Sequence, residues 1–376
     1  MILHLLTDDK FTDYIIEQFS DPKMQSDLVL IPSNNIMHLV EHKDRCRIIR
    51  QFSSEYHQLK NELSNYSAIL FHGLMCGSWQ NDMLASVPAS IHIAWMVWGG
   101  EIYSRRELFQ QFMQPISRFF YKIREKKIKQ HNIGNEIKFE LFQKIDFCLT
   151  NMPEEYEYVK QFIRKDVKFL WYNYYSIEET IGSLKDKRCS GSNVWIGNSA
   201  AEKNNHLDIF THIFLRLSRN QINLHHYIVP LSYGAPWWRN IVLKVGNFFF
   251  RNKWIPLLDF ISRDDYNAKM LSCSTFISGY LQPAAHGNLV TALWLGMRVY
   301  LHESSMDYHY FKRIGCVVFS IEKDIKRSNS VVFDLLNDSE VAQNREALLS
   351  WYSKQNMHKC NLELVKELST HKQCQS

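Results

Sequence analysis

Ile91-His92-Ile93-Ala94-Trp95-Met96-Val97-Trp98-Gly99-Gly100-Glu101 is the stretch whose reading decides the fold class. It is apolar almost throughout, with no alternation of inward and outward positions, so it reads as a strand buried on both faces. It stops at a glycine pair. Upstream, Ala68-Ile69-Leu70-Phe71 ends at His72-Gly73, Leu28-Val29-Leu30-Ile31 at Pro32-Ser33-Asn34, and Ile2 to Leu6 at Thr7-Asp8-Asp9. Helical spacing follows the first strand at Tyr14, Ile15, Gln18 and Phe19, and a long polar helix is expected before Ala68. Strand, turn and helix in this rhythm predict a parallel sheet covered by helices, an α/β fold.

Downstream, Ile181 to Asn193 turns polar and small, which predicts a linker. A second series then begins. It runs through strands at Val194–Ile196, Tyr227–Val229, Trp254–Leu257, Thr275–Ile277 and Arg298–Leu301, with helices from about His206, Trp237, Asp265 and Asn288. The expected organisation is an N-terminal Rossmann-like domain over 1–180, a linker over 181–193 and a C-terminal Rossmann-like domain over 194–376. Ligands of open α/β sheets bind beyond the carboxyl ends of the strands, so the expected site is a cleft between two such sheets.

A chain of 376 residues exceeds what one core usually serves, in keeping with two domains. With 45% hydrophobic and 22% charged residues, and only 14 Gly and 9 Pro, its composition excludes disordered and fibrous classes. The opening apolar stretch has no basic flank and is too short for a signal peptide, so a cytoplasmic protein is expected. Cys46, Cys76, Cys148, Cys189, Cys273, Cys316, Cys360 and Cys374 form no C-x-x-C pair and read as free thiols. No apolar run is long enough to span a bilayer.

The strand-end turns are where chemistry is expected. Gly99-Gly100 lets the backbone turn tightly and present Glu101, either as a base for an acceptor hydroxyl or as a solvated cap of the next helix. Gly197-Asn198-Ser199 and Gly287-Asn288 each precede a helix, where backbone amides and the helix N-terminus can hold phosphate, or where a polar residue merely caps. Nucleotide-loop, zinc-protease and serine-hydrolase motifs are missing. Asp264-Asp265 reads as N-terminal helix charge rather than a metal pair.

Charge is unevenly placed. Arg105 to Lys129 mixes Arg105, Arg106, Arg118, Lys122, Arg124, Lys126, Lys127 and Lys129 with Phe109, Phe112, Phe119, Phe120 and Tyr121. Ala235 to Leu258 has no acidic residue and interleaves Arg239, Lys244, Arg251 and Lys253 with Trp237, Trp238, Phe248, Phe249, Phe250 and Trp254. Such segments suit an anionic lipid surface, RNA, or an amphipathic helix whose aromatics face the core.

Trp95 to Tyr103, together with Gly197-Asn198-Ser199 through Asn204-Asn205-His206, resembles the bacterial TDP-N-acetylfucosamine:lipid II N-acetylfucosaminyltransferases, glycosyltransferase family 56. Phe71-His72-Gly73, Val229-Pro230 with Tyr233, Asp264 with Tyr266, and Gly287 through Gly296 continue the resemblance in the same order. It implies a GT-B fold with acceptor recognition in the first domain, nucleotide-sugar binding in the second, and neither cofactor nor essential metal. On that basis Glu101 is the catalytic candidate. Gly197, Asn198, Ser199, Asn204, His206, Tyr233, Gly287 and Asn288 are expected on the nucleotide-sugar side. Thr7, Asp8, His72, Gly73, Trp98, Gly99 and Tyr103 are expected on the acceptor side.

The chain departs from the family in carrying Glu101 where relatives have Asp, and Gln282-Pro283-Ala284-Ala285-His286 before Gly287. No carboxylate follows among Asn288 to Gly296, which is compatible with a deoxyribonucleotide donor. The expected function is transfer of a 4-acetamido-4,6-dideoxyhexose from a dTDP-sugar to an undecaprenyl-diphosphate-linked glycan, by an enzyme peripheral on the inner face of the bacterial inner membrane and without nucleic-acid partners. The alternative is a non-enzymatic α/β nucleotide-sugar or RNA-binding protein. The modest net charge of +5 speaks against RNA.

Overall fold

The computed structural model describes residues 1–32, 41–75, 77–125, 137–329 and 331–370. The chain divides into two compact units. In the first, β1 (Ile2–Leu6), β2 (Ser26–Leu30), β3 (Arg47–Ile48), β4 (Ala68–His72), β5 (His92–Met96), β6 (Phe147–Thr150) and β7 (Lys168–Trp171) form a sheet in the order β3-β2-β1-β4-β5-β6-β7. Every pairing in it is parallel. All of β1 and β4 is buried, which explains their unbroken apolar sequence.

In the second unit, β8 (Asn193–Ile196), β9 (Tyr227–Pro230), β10 (Trp254–Leu257), β11 (Cys273–Ser278), β12 (Arg298–Leu301) and β13 (Phe319–Ser320) pair in parallel in the order β10-β9-β8-β11-β12-β13. Helices His206–Arg216 and Pro236–Phe250 bury Phe210, Ile213, Trp238 and Val242 against Val194, Ile196 and Val229. Two Rossmann-like α/β units with parallel sheets are as the sequence led one to expect.

Each sheet reverses its strand order once. In the first unit the chain moves from β1 outward to β3 and then returns to β4 on the other side of β1. In the second it moves from β8 out to β10 and returns to β11 beside β8. These two reversals, β1/β4 and β8/β11, open a crevice at the carboxyl ends of the strands in each unit.

Three expectations need correction. The long polar helix before Ala68 is broken: β3 intervenes, held at the sheet edge because Asp27 accepts from Arg47 and from the Tyr66 hydroxyl, and the helix is only Ser54–Asn61. The stretch 181–193, expected as a linker between domains, lies within the second unit. Leu184 and Cys189 are buried, the Cys189 amide bonds Leu295 O, and the Trp294 indole bonds Lys185 O, so this stretch is packed into the second unit.

The unit boundaries also differ. The first unit gathers Met1–Arg105, His131–Ser176 and Tyr352–Ser376, and the second gathers Arg106–Gln130 and Ile177–Trp351. Helix Pro115–Glu125 belongs to the second unit because Asp208 caps it. The Asp208 carboxylate accepts from the amides of Ile116 (2.8 Å) and Ser117 (2.9 Å) and from the Ser117 hydroxyl (2.6 Å). Helix Lys354–Leu368 returns to the first unit, burying Leu364, Val365 and Leu368 in its core.

Candidate functional site

In the second unit the turn after β8 is built around Asn204. Gly197 has φ +67°, a conformation that favours glycine. A Cβ there would lie 2.7 Å from Asn204 Oδ1 and 3.0 Å from His206 Nε2. The Asn204 side-chain amide donates to Ser199 O (2.8 Å), Ser199 Oγ (3.1 Å), Asn198 Oδ1 (3.2 Å) and the Tyr280 hydroxyl (3.0 Å). Its Oδ1 and both ring nitrogens of His206 are buried without a hydrogen-bond partner. Burial lowers the His206 pKa to about 3, so the imidazole is neutral at physiological pH.

The loop after β9 is fastened to this turn. Ala200 N donates to Tyr233 O (2.7 Å), Ala235 N donates to Ala200 O (3.0 Å), and Asn198 Nδ2 donates to the Tyr233 hydroxyl (3.0 Å). On the other side of β8, β11 leads into helix His286–Trp294, with Gly287 and Asn288 in its first turn. Asn288 reaches the hydroxyl of the half-buried Tyr266 on helix Arg263–Leu271. That helix is capped by Ser262 and holds Asp264 and Asp265 in its first turn, as expected for N-terminal helix charge.

The structure therefore joins Gly197, Asn198, Ser199, Asn204 and Tyr233 in one network. His206 stands behind Gly197, and Asn288 is tied to Tyr266. Gly287 contributes helix backbone: its carbonyl accepts from Thr291 Oγ1 (2.8 Å). Tyr280, which follows the turn at Gly279, was not anticipated. Its place just past the end of β11 was the available signal.

In the first unit Glu101 is only 7% exposed. The solvated-cap reading is thereby overturned. Its Oε1 accepts from Leu74 N, Trp98 N and Trp95 Nε1, each at 3.1 Å, and so ties the turn after β4 to the turn after β5. Its Oε2 is buried with no hydrogen-bond partner. Desolvation pushes the carboxyl above the ordinary carboxylate range, against the pull of those donors.

Gly73, with φ +77°, lies so close to the Trp98 indole that a Cβ would come within 2.6 Å of it. Trp98 packs edge-on to Phe11 and Tyr174. Thr7 closes the turn after β1 by accepting from Thr12 Oγ1 at 2.6 Å, with Asp8 beside it.

Two acceptor-side candidates point inward instead. His72 is wholly buried and pairs with His4, Nε2 to Nδ1 at 3.1 Å. Tyr103 donates to Glu155 Oε1 at 3.0 Å. Glu155 was missed in the sequence, because a glutamate in the first turn of a helix ordinarily faces water. Burial, with the Glu101 charge adding to it, raises its pKa to about 7.

The basic aromatic segments are divided between core and surface. Arg105 is buried, bonds the carbonyls of Glu101 and Ile137 and lies 3.8 Å over the Phe139 ring, so it is no surface charge. Phe112, Trp238 and Phe250 are core residues. Phe119 (60% exposed), Ile123 and Phe248 (67% exposed) face outward, with Lys122, Arg124 and Lys244 exposed as well. Lys126, Lys127 and Lys129 lie outside the described residues. Among the described residues no helix is long and apolar enough to cross a membrane, and Cys46, Cys148, Cys189, Cys273, Cys316 and Cys360 are free thiols. Cys76 and Cys374 lie outside them.

No family model matches this sequence, and no curated protein matches it. Solved structures do match. A glycosyltransferase from Rickettsia africae is similar with a TM-score of 0.60 at 12% identity, over 98% of each chain. Sucrose-phosphate synthase from Thermosynechococcus elongatus follows at 0.59 and 9%, also over 98% of each chain. WaaG, a glycosyltransferase involved in lipopolysaccharide biosynthesis, gives 0.52 and 11%, over 98% of this chain and 100% of that one.

The fold is GT-B. At such identities the likeness carries the architecture, with two Rossmann-like domains, and leaves the substrates to the site residues.

Proposed function

We propose that this protein is a glycosyltransferase whose second unit binds a nucleoside-diphosphate sugar and whose first unit binds the acceptor. One observation carries the reading: the turn at Gly197, Asn198 and Ser199, at the carboxyl end of β8 and beside the β8/β11 reversal, is held rigid by Asn204 and Tyr233. Preorganised amides and hydroxyls at such a strand-end turn suit a diphosphate leaving group, and fixed dipoles need no reorganisation as its charge develops.

The resemblance to the N-acetylfucosaminyltransferases gives the finer reading: a dTDP-linked 4-acetamido-4,6-dideoxyhexose as donor and a lipid-diphosphate-linked glycan as acceptor, in bacterial surface polysaccharide synthesis that needs no metal. In the transfer the acceptor hydroxyl bonds to the anomeric carbon, the bond from that carbon to the diphosphate breaks, and Glu101 Oε2 takes the hydroxyl proton. Burial raises the proton affinity of this carboxyl above that of an ordinary carboxylate, and Oε2 has no hydrogen-bond partner, which supports that role. Peripheral attachment to an anionic membrane through the outward faces of helices Pro115–Glu125 and Pro236–Phe250 completes the reading, since a lipid-linked acceptor stays in the bilayer.

Thermal protection tests the class. A ligand bound to the folded state raises the melting temperature in proportion to the logarithm of its concentration over Kd. Protection by dTDP or UDP, with none by single-stranded RNA, is the expected result. Protection by RNA alone would replace this reading with the binding-protein alternative.

A further inference from the structure

Phe260 is 80% exposed, in the short loop between β10 and helix Arg263–Leu271. An aromatic ring left this open forgoes most of the stabilisation its burial would provide. Its neighbour is Tyr233, itself 50% exposed, in the loop after β9; the rings lie 6.1 Å apart between centroids and only 8° from parallel. Two nearly parallel, solvent-facing rings therefore stand at the carboxyl ends of adjacent strands, beside the turn that follows β8.

Tyr233 is not free to swing. Its carbonyl accepts from Ala200 N, its hydroxyl accepts from Asn198 Nδ2, and Gly234 behind it pairs with Ala200 in a bridge where a Cβ would come within 2.4 Å of backbone. The stacked pair is thus anchored directly to Asn198, one of the residues assigned to the diphosphate.

We infer that Phe260 and Tyr233 form the nucleobase subsite, with the pyrimidine ring of the donor stacked on the open face of Phe260 and its diphosphate at Asn198 and Ser199. The inference rests on the donor reading above and assigns the part of the ligand which that reading leaves unplaced. Stacking is the interaction a planar base makes with an exposed ring, and it tolerates base identity because every base has a π face. The platform holds thymine and uracil nucleotides alike, so sugar selection falls to other residues.

Calorimetric titration of dTDP, UDP and inorganic pyrophosphate into the wild-type chain, Phe260→Ala, Phe260→Tyr and Ser199→Ala tests this. Phe260→Ala is expected to weaken dTDP and UDP about tenfold or more, the size of one lost base stack, and to leave pyrophosphate affinity and melting temperature unchanged. Phe260→Tyr keeps nucleotide affinity, while Ser199→Ala weakens all three ligands. Equal dTDP affinity in Phe260→Ala and wild type, with Ser199→Ala impaired, overturns the subsite and leaves the donor reading standing. A parallel loss of pyrophosphate in Phe260→Ala overturns it too, since the ring would then be structural. Wild-type protein that binds neither nucleotide removes both readings together.

Discussion

Asn204 Oδ1 stands 2.7 Å from the point where a Cβ on Gly197 would lie, and His206 Nε2 stands 3.0 Å from the same point. The turn that carries Asn198 and Ser199 is thereby shaped from behind by two buried polar groups, and a glycine is its only comfortable occupant.

Gly197→Ala should therefore suffer twice: about 1–3 kcal/mol for a left-handed alanine and about 1–3 kcal/mol for the collision. Gly315→Ala is the control, because Gly315 has φ +96° but no atom within 4 Å of its added Cβ. Denaturant melts should place Gly197→Ala clearly below Gly315→Ala, with dTDP affinity lost only in the former. Equal melts would mean that the packing behind the turn is slack.

Glu101→Gln keeps an oxygen for the three donors at Oε1 but removes the proton acceptor at Oε2. Turnover should fall about 10²–10⁴-fold, the usual range for a general base, with donor affinity and melting temperature close to wild type. Near-normal turnover would reduce Glu101 to a clasp between the turns at Leu74 and Trp98.

Much of this was legible in the sequence. β1, β4, β5 and most second-unit strands are apolar runs closed by glycine or polar turns, and they fall within a residue or two of the expected places. β3 and β13 escaped because each has only two residues, and β7 because it starts on an exposed lysine. The path of the chain between units could not be read, because it depends on Asp208 capping a helix about ninety positions away in sequence. At the site, Gly197-Asn198-Ser199 announced itself as a strand-end turn. Phe260 did not, since an aromatic near a strand normally signals core, and only its exposure in the fold sets it apart.

Glu155 offers a pH test. Its carboxyl titrates at about 7 in the folded chain, against 4.5 for the ordinary group. Its contribution to stability is then fully present below about pH 4.5 and is lost as pH rises through about 7. At higher pH the buried charge costs about 3 kcal/mol, at ~1.36 kcal/mol for each pH unit between the two values. Glu155→Gln should melt like wild type near pH 4.5 and above it at pH 8. A difference that does not change with pH would show that this carboxyl is solvated.

For the membrane proposal, Lys122→Glu, Arg124→Glu and Lys244→Glu reverse three exposed charges. At about 1 kcal/mol per basic side chain near an anionic surface, the triple variant should largely leave anionic vesicles in sedimentation, while neutral vesicles recover little of either protein. High salt should release the wild type, because screening acts beyond about 8 Å at physiological ionic strength. Equal recovery on neutral and anionic vesicles would contradict the proposal.

The most direct measurement is transfer itself: purified protein incubated with a panel of dTDP- and UDP-sugars and a lipid-diphosphate-linked glycan, with the lipid product weighed by mass spectrometry. The account predicts a product heavier by one 4-acetamido-4,6-dideoxyhexose residue and stoichiometric release of dTDP, abolished by Ser199→Ala together with Gly287→Val. A lipid of unchanged mass across the whole panel, from protein that nucleotides do not protect against heat, would contradict it.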